Sequence, residues 1–398
     1  MANALKNNVF ISGAARTPLG RFQGGLSSTP ATDLGATAIK SAIDRSGLAA
    51  SDVEYTIMGN MLSAGLGQTP ARQAAISADI PNSVSALTIN KACASGMQSV
   101  ILASQSIQLA EASAAVAGGM ENMSAAPHLL VNSRTGQRLG DTNLIDSMIH
   151  DGLWCPFENR HMGGSAEAIS EKYSVTREQQ DEFSERSHRL ASTASAEGSF
   201  ADEITPVEVA GRRGAVTVVS TDEGPRSDTT LDGLSELRTV FPPGNTVTPG
   251  NASSISDGAA AVVVTNEDTA SNSSSGPVAQ ITGYAHAANE PGMLFDAPRL
   301  AVANLLDKTG QSLDEFDLIE VNEAFAAQVL ANGQALEWDW NRVNLRGGAI
   351  ALGHPIGASG ARILVTLLYG LQSTRGKHGL AVICHAGGGA VAMSVSLQ

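Results

Sequence analysis

The sequence predicts an α/β fold made of two similar βα halves, with an insertion in the first. Three observations carry this. Apolar strand-like runs alternate with helix-periodic segments along the chain, the pattern of a parallel-rich sheet covered on both faces. Five landmarks of the first half recur in order, at nearly constant spacing, in the second, which is the mark of duplication. A more charged stretch interrupts the first copy before its last strand and has no counterpart in the second.

Val9-Phe10-Ile11-Ser12-Gly13 reads as the first strand, and Asp33 to Ser46 as a helix closed by Gly47. Tyr55 to Asn60 and Ser85 to Asn90 are the next strands, followed by a helix after Cys93 with apolar residues at Met97, Val100, Ile101 and Ile107. Ala114 to Gly119 is a further strand. In the second half Ile281-Thr282-Gly283 echoes Ile11-Ser12-Gly13, and a helix through Leu300, Ala303, Leu305 and Leu306 ends at Gly310 as its counterpart ends at Gly47. Phe316 to Asn322 echoes Val53 to Asn60, Ala358-Ser359-Gly360 echoes Ala94-Ser95-Gly96, and Ala381 to Cys384 echoes Ala115 to Gly118. Gly387-Gly388-Gly389 leads straight into a last strand, Ala390–Val395, whose first-half match is Ala259–Val264. The expected organisation is therefore a first half of residues 1–124 and 252–275, an insertion of residues 125–251, and a second half of residues 276–398. Within the insertion 165–172 and 176–197 read as helices, and Gly224–Gly250, dotted with Gly and Pro, as loop. Ser271 to Pro277 reads as the linker between halves.

Composition narrows the function classes. A formal net charge of -14 argues against nucleic acid or an anionic membrane as partner. No segment is apolar for long enough to span a bilayer. Three cysteines in 398 residues argue against a disulfide framework. Met1 to Lys6 lacks a signal-peptide core and Ser396-Leu397-Gln398 is not a peroxisomal address, so the expected compartment is the cytoplasm.

Cys93 falls where a strand meets a helix N-terminus, a place that favours a thiolate. A lone cysteine there is also an ordinary packing residue. The repeat weighs against packing alone, because His354-Pro355-Ile356-Gly357 precedes the second Ala-Ser-Gly as Cys93 precedes the first. Asn322 and Cys384 end strands in the same layer, so the four residues are expected at one cleft outside the strand ends. Cys384 beside His385 lacks metal-ligand spacing, and no metal is expected. Gly347 to Gly353 has no following Gly-Lys-Ser/Thr and is not a phosphate loop. Cys155 has no partner pattern and reads as structural.

Over nearly its full length the chain resembles the thiolases. The motifs are Asn90-Lys91-Ala92-Cys93-Ala94-Ser95-Gly96, Gly118 to Ser124, Gly250 to Ser253 with Asp257 to Ala260, Val321 to Ala326, Gly347 to Gly357, and Cys384 with its glycine tail. The resemblance implies a thiolase-like fold layered α-β-α-β-α, with the insertion as a loop domain for CoA binding and tetramer contacts. It implies Cys93 as acyl-accepting nucleophile and Cys384 as acid/base at the substrate α-carbon. His354 would polarise the thioester oxygen and activate Cys93, and Asn322 would hold a water completing that oxyanion site. The backbone N–H groups of Cys93 and Ala386 would form a second oxyanion site. Such chemistry needs a nucleophile of similar leaving ability to CoA, a base at a weakly acidic C–H, and donors aimed at the enolate oxygen.

Arg160-His161-Met162-Gly163 looks like the short-chain type, where a His-Met pair narrows the acyl pocket. Arg226 would meet CoA phosphate, and Ser253 the pantetheine arm. The implied reaction joins two acetyl-CoA to acetoacetyl-CoA and CoA. Acyl-CoA thioesters are the expected substrates, with no cofactor, in a homodimer or homotetramer. A broader-chain degradative 3-ketoacyl-CoA thiolase and a non-catalytic thiolase-like lipid carrier are the alternatives. The sequence departs from the family at Ala386 and Ala390, commonly glycines, and at His385. A positive φ at residue 386 would cost alanine about 1 kcal/mol.

Overall fold

The computed structural model describes residues 8–211, 214–270 and 275–398. Met1 to Lys6 and the first four residues of the expected linker, 271–274, lie outside them.

In the first half, Val9–Arg16 (β1) leads into helix Ala31–Ser46 (α1). Tyr55–Gly59 (β2), helix Pro70–Ser77 (α2) and Ser85–Ile89 (β3) follow. Helix Ser95–Gln108 (α3) comes next, then Ala114–Asn122 (β4). The insertion contributes helices Met162–Tyr173 (α4) and Arg177–Ala196 (α5) before the chain returns as Ser256–Asn266 (β5). The second half runs Ala279–Ala288 (β6), helix Ala297–Thr309 (α6), Leu318–Val321 (β7), helix Ala326–Leu336 (α7). It closes with helix Ser359–Thr374 (α8), His378–His385 (β8) and Gly389–Leu397 (β9).

The strands lie in the order β3-β2-β4-β5-β1 and β6-β9-β8-β7, joined where β1 meets β6 at Phe10–Gln280 and Ile11–Ala279. The missing fifth member of the second set is Val343, which bridges Ile319 of β7 in parallel. In both halves the last strand, β5 or β9, runs antiparallel to its two neighbours, while β4, β2 and β3 are mutually parallel. The expected parallel-rich sheet is thus mixed, for a local reason. β8 and β9 are joined by a tight turn at Gly387 and Gly388 (φ 87° and 93°), and a tight turn can join only antiparallel strands.

The duplication is visible in detail. β1 slips register against β5 between Ile11 and Gly13, and β6 slips against β9 between Ile281 and Gly283. Gly47 and Gly310 close α1 and α6 in the left-handed conformation, φ 75° and 73°. The two Ala-Ser-Gly sequences open α3 and α8, which cross in the middle of the molecule. A Cβ on Gly96 would lie 2.7 Å from the Ala361 nitrogen, and one on Gly360 2.5 Å from the Met97 nitrogen. Only glycine permits that approach.

Around the crossing lies the main core, with Met97, Val100, Ile101, Ile363, Leu364 and Leu367 all fully buried against β-strand residues of both halves. Each such side chain contributes about 1.5–3 kcal/mol. A second core packs α1 and α2 on the outer face of the first sheet, and a third packs α6 and α7 on the second. The result is the expected α-β-α-β-α layering.

The insertion is bolted to β1 by a buried ion pair. Arg16 Nε donates to Glu203 at 2.6 Å, and its terminal nitrogens donate to Asp222 at 2.6 and 2.9 Å. All three side chains are inaccessible. Gly224–Gly250 is mostly irregular, apart from a helical turn at Leu231–Ser235. Trp154–Cys155 pairs with Arg160–His161, which delivers His161 and Met162 to the start of α4.

Candidate active site

Cys93 is presented by a knotted turn between β3 and α3. Asn90 Oδ1 accepts the Ala92 N–H at 2.9 Å, and Ser95 Oγ accepts the Lys91 N–H at 2.7 Å while donating to the Ala92 carbonyl at 2.6 Å. Ala92 is held at φ 47°, a left-handed conformation that costs a non-glycine residue about 1–2 kcal/mol. The turn stores that strain to turn the cysteine out of the helix.

His354 lies at the equivalent junction of the other half. Its backbone N–H donates to Ser254 O at 3.0 Å, and its Nδ1 is 2.6 Å from Ser359 Oγ. Ser359 has one hydroxyl proton, donated to Pro355 O at 2.8 Å, so it must accept from His354 Nδ1–H. This fixes the tautomer and leaves Nε2 to take or give a proton. Ser95 and Ser359 therefore do the same work in the two copies. Each fastens the turn ahead of its helix by bonding to a carbonyl three or four residues back.

Cys384 sits in β8 opposite Ala390 of β9 and is 1% exposed. Ala386 follows it and is not among the residues with positive φ; Gly387 and Gly388 carry those angles. The alanine is unstrained, which removes the conformational objection to this departure.

Cys93, His354, Cys384 and Ala386 line one cavity of about 270 Å³, together with His161, Met162 and Ser253. Leu294, Phe325 and Ile356 supply apolar wall. His161 is stacked on Phe241 at 4.6 Å, and its Nδ1 accepts the Gly163 N–H at 3.1 Å. Burial lowers its pKa, so the ring is neutral with Nε2 as its donor. A larger, open cleft of about 790 Å³ lies behind the His161–Phe241 stack, and the two cysteines are not part of it.

Asn322 follows β7, donates its backbone N–H to Val382 O at 3.0 Å, and is fully buried. Neither its amide nitrogen nor its amide oxygen is bonded to a protein atom, and it does not line the cavity wall. Arg226 is exposed and lies away from the cavity, its backbone N–H donating to His188 Nδ1 at 3.2 Å. Of the site residues singled out in the sequence, Asn322 and Arg226 are the two that do not line the cavity.

The electrostatics correct one expectation. A helix-terminus thiolate was expected at Cys93, but burial pushes this thiol up to about 12, against the pull of the Ala386 and Cys93 amides, and Glu121 adds to the rise. The helix begins at Ser95, so desolvation outweighs a terminus two residues away. Burial, with the Arg362 charge, drives His354 down to about 3. Burial and proximity to Cys93 also raise Cys384. At neutral pH the site rests as two thiols and a neutral imidazole.

Sequence reasoning missed Ser359 and Phe241. The signal for Ser359 was present in the repeated Ala-Ser-Gly, read only as a helix start. Phe241 sat in a stretch read as loop, and nothing in its neighbours announced the stack.

Comparison with known proteins agrees with this geometry. The thiolase N-terminal domain model matches residues 9–268 and the thiolase C-terminal domain model residues 275–397. The acetyl-CoA acetyltransferase of Pseudomonas aeruginosa is 48% identical over 389 residues, 98% of this chain and 99% of that protein. That of Cupriavidus necator is 48% identical over 388 residues, with 98% and 99% covered. The crystal structure of the Bacillus anthracis acetyl-CoA acetyltransferase superposes with a TM-score of 0.96 at 38% identity, covering 100% of both chains. With two matched domains, a duplicated five-layer fold and a cavity shared by both copies, the chain belongs to the thiolase family.

Proposed function

We propose that the protein is an acetyl-CoA C-acetyltransferase, joining two acetyl-CoA reversibly into acetoacetyl-CoA and CoA through an acetyl-cysteine. The observation that carries this is the convergence of Cys93, His354 and Cys384 on one small cavity, in a chain whose relatives bear that activity in their names. Cys93 passes its proton to His354 Nε2 as its sulfur attacks the first thioester carbonyl. The negative oxygen forms against the amides of Cys93 and Ala386, whose pull on the Cys93 thiol supports that role. CoA leaves with the proton from His354, and the acetyl group stays on Cys93. Cys384 then hands its thiol proton to His354, free again as a base in the same cavity, and as thiolate takes a proton from the methyl carbon of the second acetyl-CoA. The enolate oxygen is met by His354 and by a water on Asn322, whose unbonded buried amide supports this reading. The carbon attacks acetyl-Cys93, the C–S bond breaks, the Cys93 sulfur takes the proton held on His354, and acetoacetyl-CoA departs.

In this reading Met162 and His161 limit the acyl chain, Ser253 meets the pantetheine arm, and Arg226 meets a phosphate outside the cavity. CoA thioesters are the substrates and no cofactor enters the route. The insertion, residues 125–251, exposes Leu130, Val131, Leu139, Leu144 and Phe157, in keeping with its proposed tetramer contacts in a homodimer or homotetramer. No helix of the described residues is long and apolar enough to cross a membrane. A cytoplasmic site and a role in fatty acid metabolism complete the proposal.

A broader-chain 3-ketoacyl-CoA thiolase would use the same residues. Comparing thiolysis of acetoacetyl-CoA with that of a ten-carbon 3-ketoacyl-CoA separates the two. We expect a marked preference for the former, and equal rates would contradict the short-chain reading.

A further inference from the structure

Glu121, at the end of β4, is fully inaccessible, yet no step above uses it. Its carboxylate takes four N–H donors, two on each oxygen. Oε1 accepts from Asn60 Nδ2 at 2.8 Å and the Leu62 amide at 3.1 Å; Oε2 accepts from the Met61 amide at 3.0 Å and the Gly357 amide at 2.8 Å. Asn60 is turned to donate because its Oδ1 accepts from Ser63 Oγ at 2.5 Å.

These donors lead to both catalytic turns. The Asn60 amide donates to Ile89 O at 3.0 Å, at the end of the strand that delivers Cys93. Gly357 closes the loop that begins at His354. A Cβ at Gly357 would lie 2.8 Å from Glu121 Oε2, so the loop rests directly on the carboxylate. The two halves of the site otherwise belong to different copies of the repeat. We propose that Glu121 is a positioning residue, whose carboxylate holds the His354 loop of the second half in register with the Cys93 turn of the first.

Charge is part of this arrangement. Four donors converge on the anion, and the protonated acid would turn an O–H toward one of them with no acceptor opposite. Burial works the other way and raises the carboxyl to about 7, with Asp257 of β5 adding to the rise. The negative charge is also close enough to Cys93 to oppose its thiolate. Removing the charge while keeping the shape therefore has two separable effects: the His354 loop loosens, and Cys93 ionises more easily.

The inference rests on the thiolase reading, and the test separates the two. In Glu121→Gln, thiolysis of acetoacetyl-CoA should fall about 10- to 100-fold in kcat, since a misplacement of about 1 Å costs up to that much. KM should stay within about threefold. Alkylation of Cys93 by iodoacetamide, followed at its own peptide across pH, should shift its midpoint downward. Glu121→Gln with wild-type kcat, or with lowered kcat and an unmoved alkylation curve, would overturn the proposal. Gly357→Ala covers a poorly folding glutamine variant: it displaces the loop and leaves the charge, so kcat should fall while the alkylation midpoint stays. An unchanged kcat there would also count against the role of Glu121. Wild-type protein inert toward acetoacetyl-CoA would sink the thiolase reading instead, and the alkylation comparison would still report on Glu121.

Discussion

Replacing Ser359 by alanine removes the acceptor of the His354 Nδ1–H bond, 2.6 Å long and buried. With Ser359 present, its only proton is committed to Pro355 O at 2.8 Å, so the imidazole has one permitted tautomer, with Nε2 as its base. When Cys93 gives up its proton the ring becomes positive, and the same bond becomes charge-assisted. Hydrogen bonds to charged groups contribute about 1.5–3 kcal/mol. At about 1.4 kcal/mol per decade, the acylation step should slow by about 10- to 150-fold. The assay is rapid-quench formation of acetyl-enzyme from acetyl-CoA, with Ser359→Thr as the control that keeps the hydroxyl and recovers much of the rate. Pro355 O also loses its donor in the alanine variant, so thermal stability must be followed in parallel. An acylation rate within about twofold of wild type would refute the assigned tautomer and its role.

Three further outcomes are expected. Cys384→Ala should still accept an acetyl group from acetyl-CoA yet lose condensation, seen by comparing acetyl-enzyme with acetoacetyl-CoA production; retained condensation would remove Cys384 as the base. Asp222→Ala leaves Arg16 buried and half-paired, and urea unfolding should show a loss of about 3–5 kcal/mol. His354 is held near 3 when folded against about 6.5 when unfolded, so the unfolded chain binds the extra proton between those values. Stability should therefore drop as pH falls from about 6.5 toward 3, more steeply in wild type than in His354→Gln. Parallel slopes for the two proteins would contradict the shift.

What the sequence made legible followed from repetition. Ile11-Ser12-Gly13 and Ile281-Thr282-Gly283 became matching register slips, and Gly47 and Gly310 became matching caps. The repeated Ala-Ser-Gly, read as a helix start, does open two helices, while their crossing at Gly96 and Gly360 became visible only in the structure. Cys93, His354 and Cys384 could be brought together on the same ground. The protonation state of Cys93 was not legible, since it depends on burial by residues far apart in sequence. Nor was the four-donor cradle of Glu121, since Asn60, Met61, Leu62 and Gly357 share no spacing with it. Strand direction failed in one respect: a glycine turn before the last strand implies antiparallel pairing, and the alternation of strands and helices masked it.

The claim on which the rest depends is that Cys93 carries the acyl group. Protein incubated with acetyl-CoA and digested under acid quench should show one added acetyl group, on the peptide containing Cys93, in wild type and in Cys384→Ala alike. It should be absent from Cys93→Ala under the same quench. Acetyl found on Cys384 instead, or on no cysteine at all, would contradict the account.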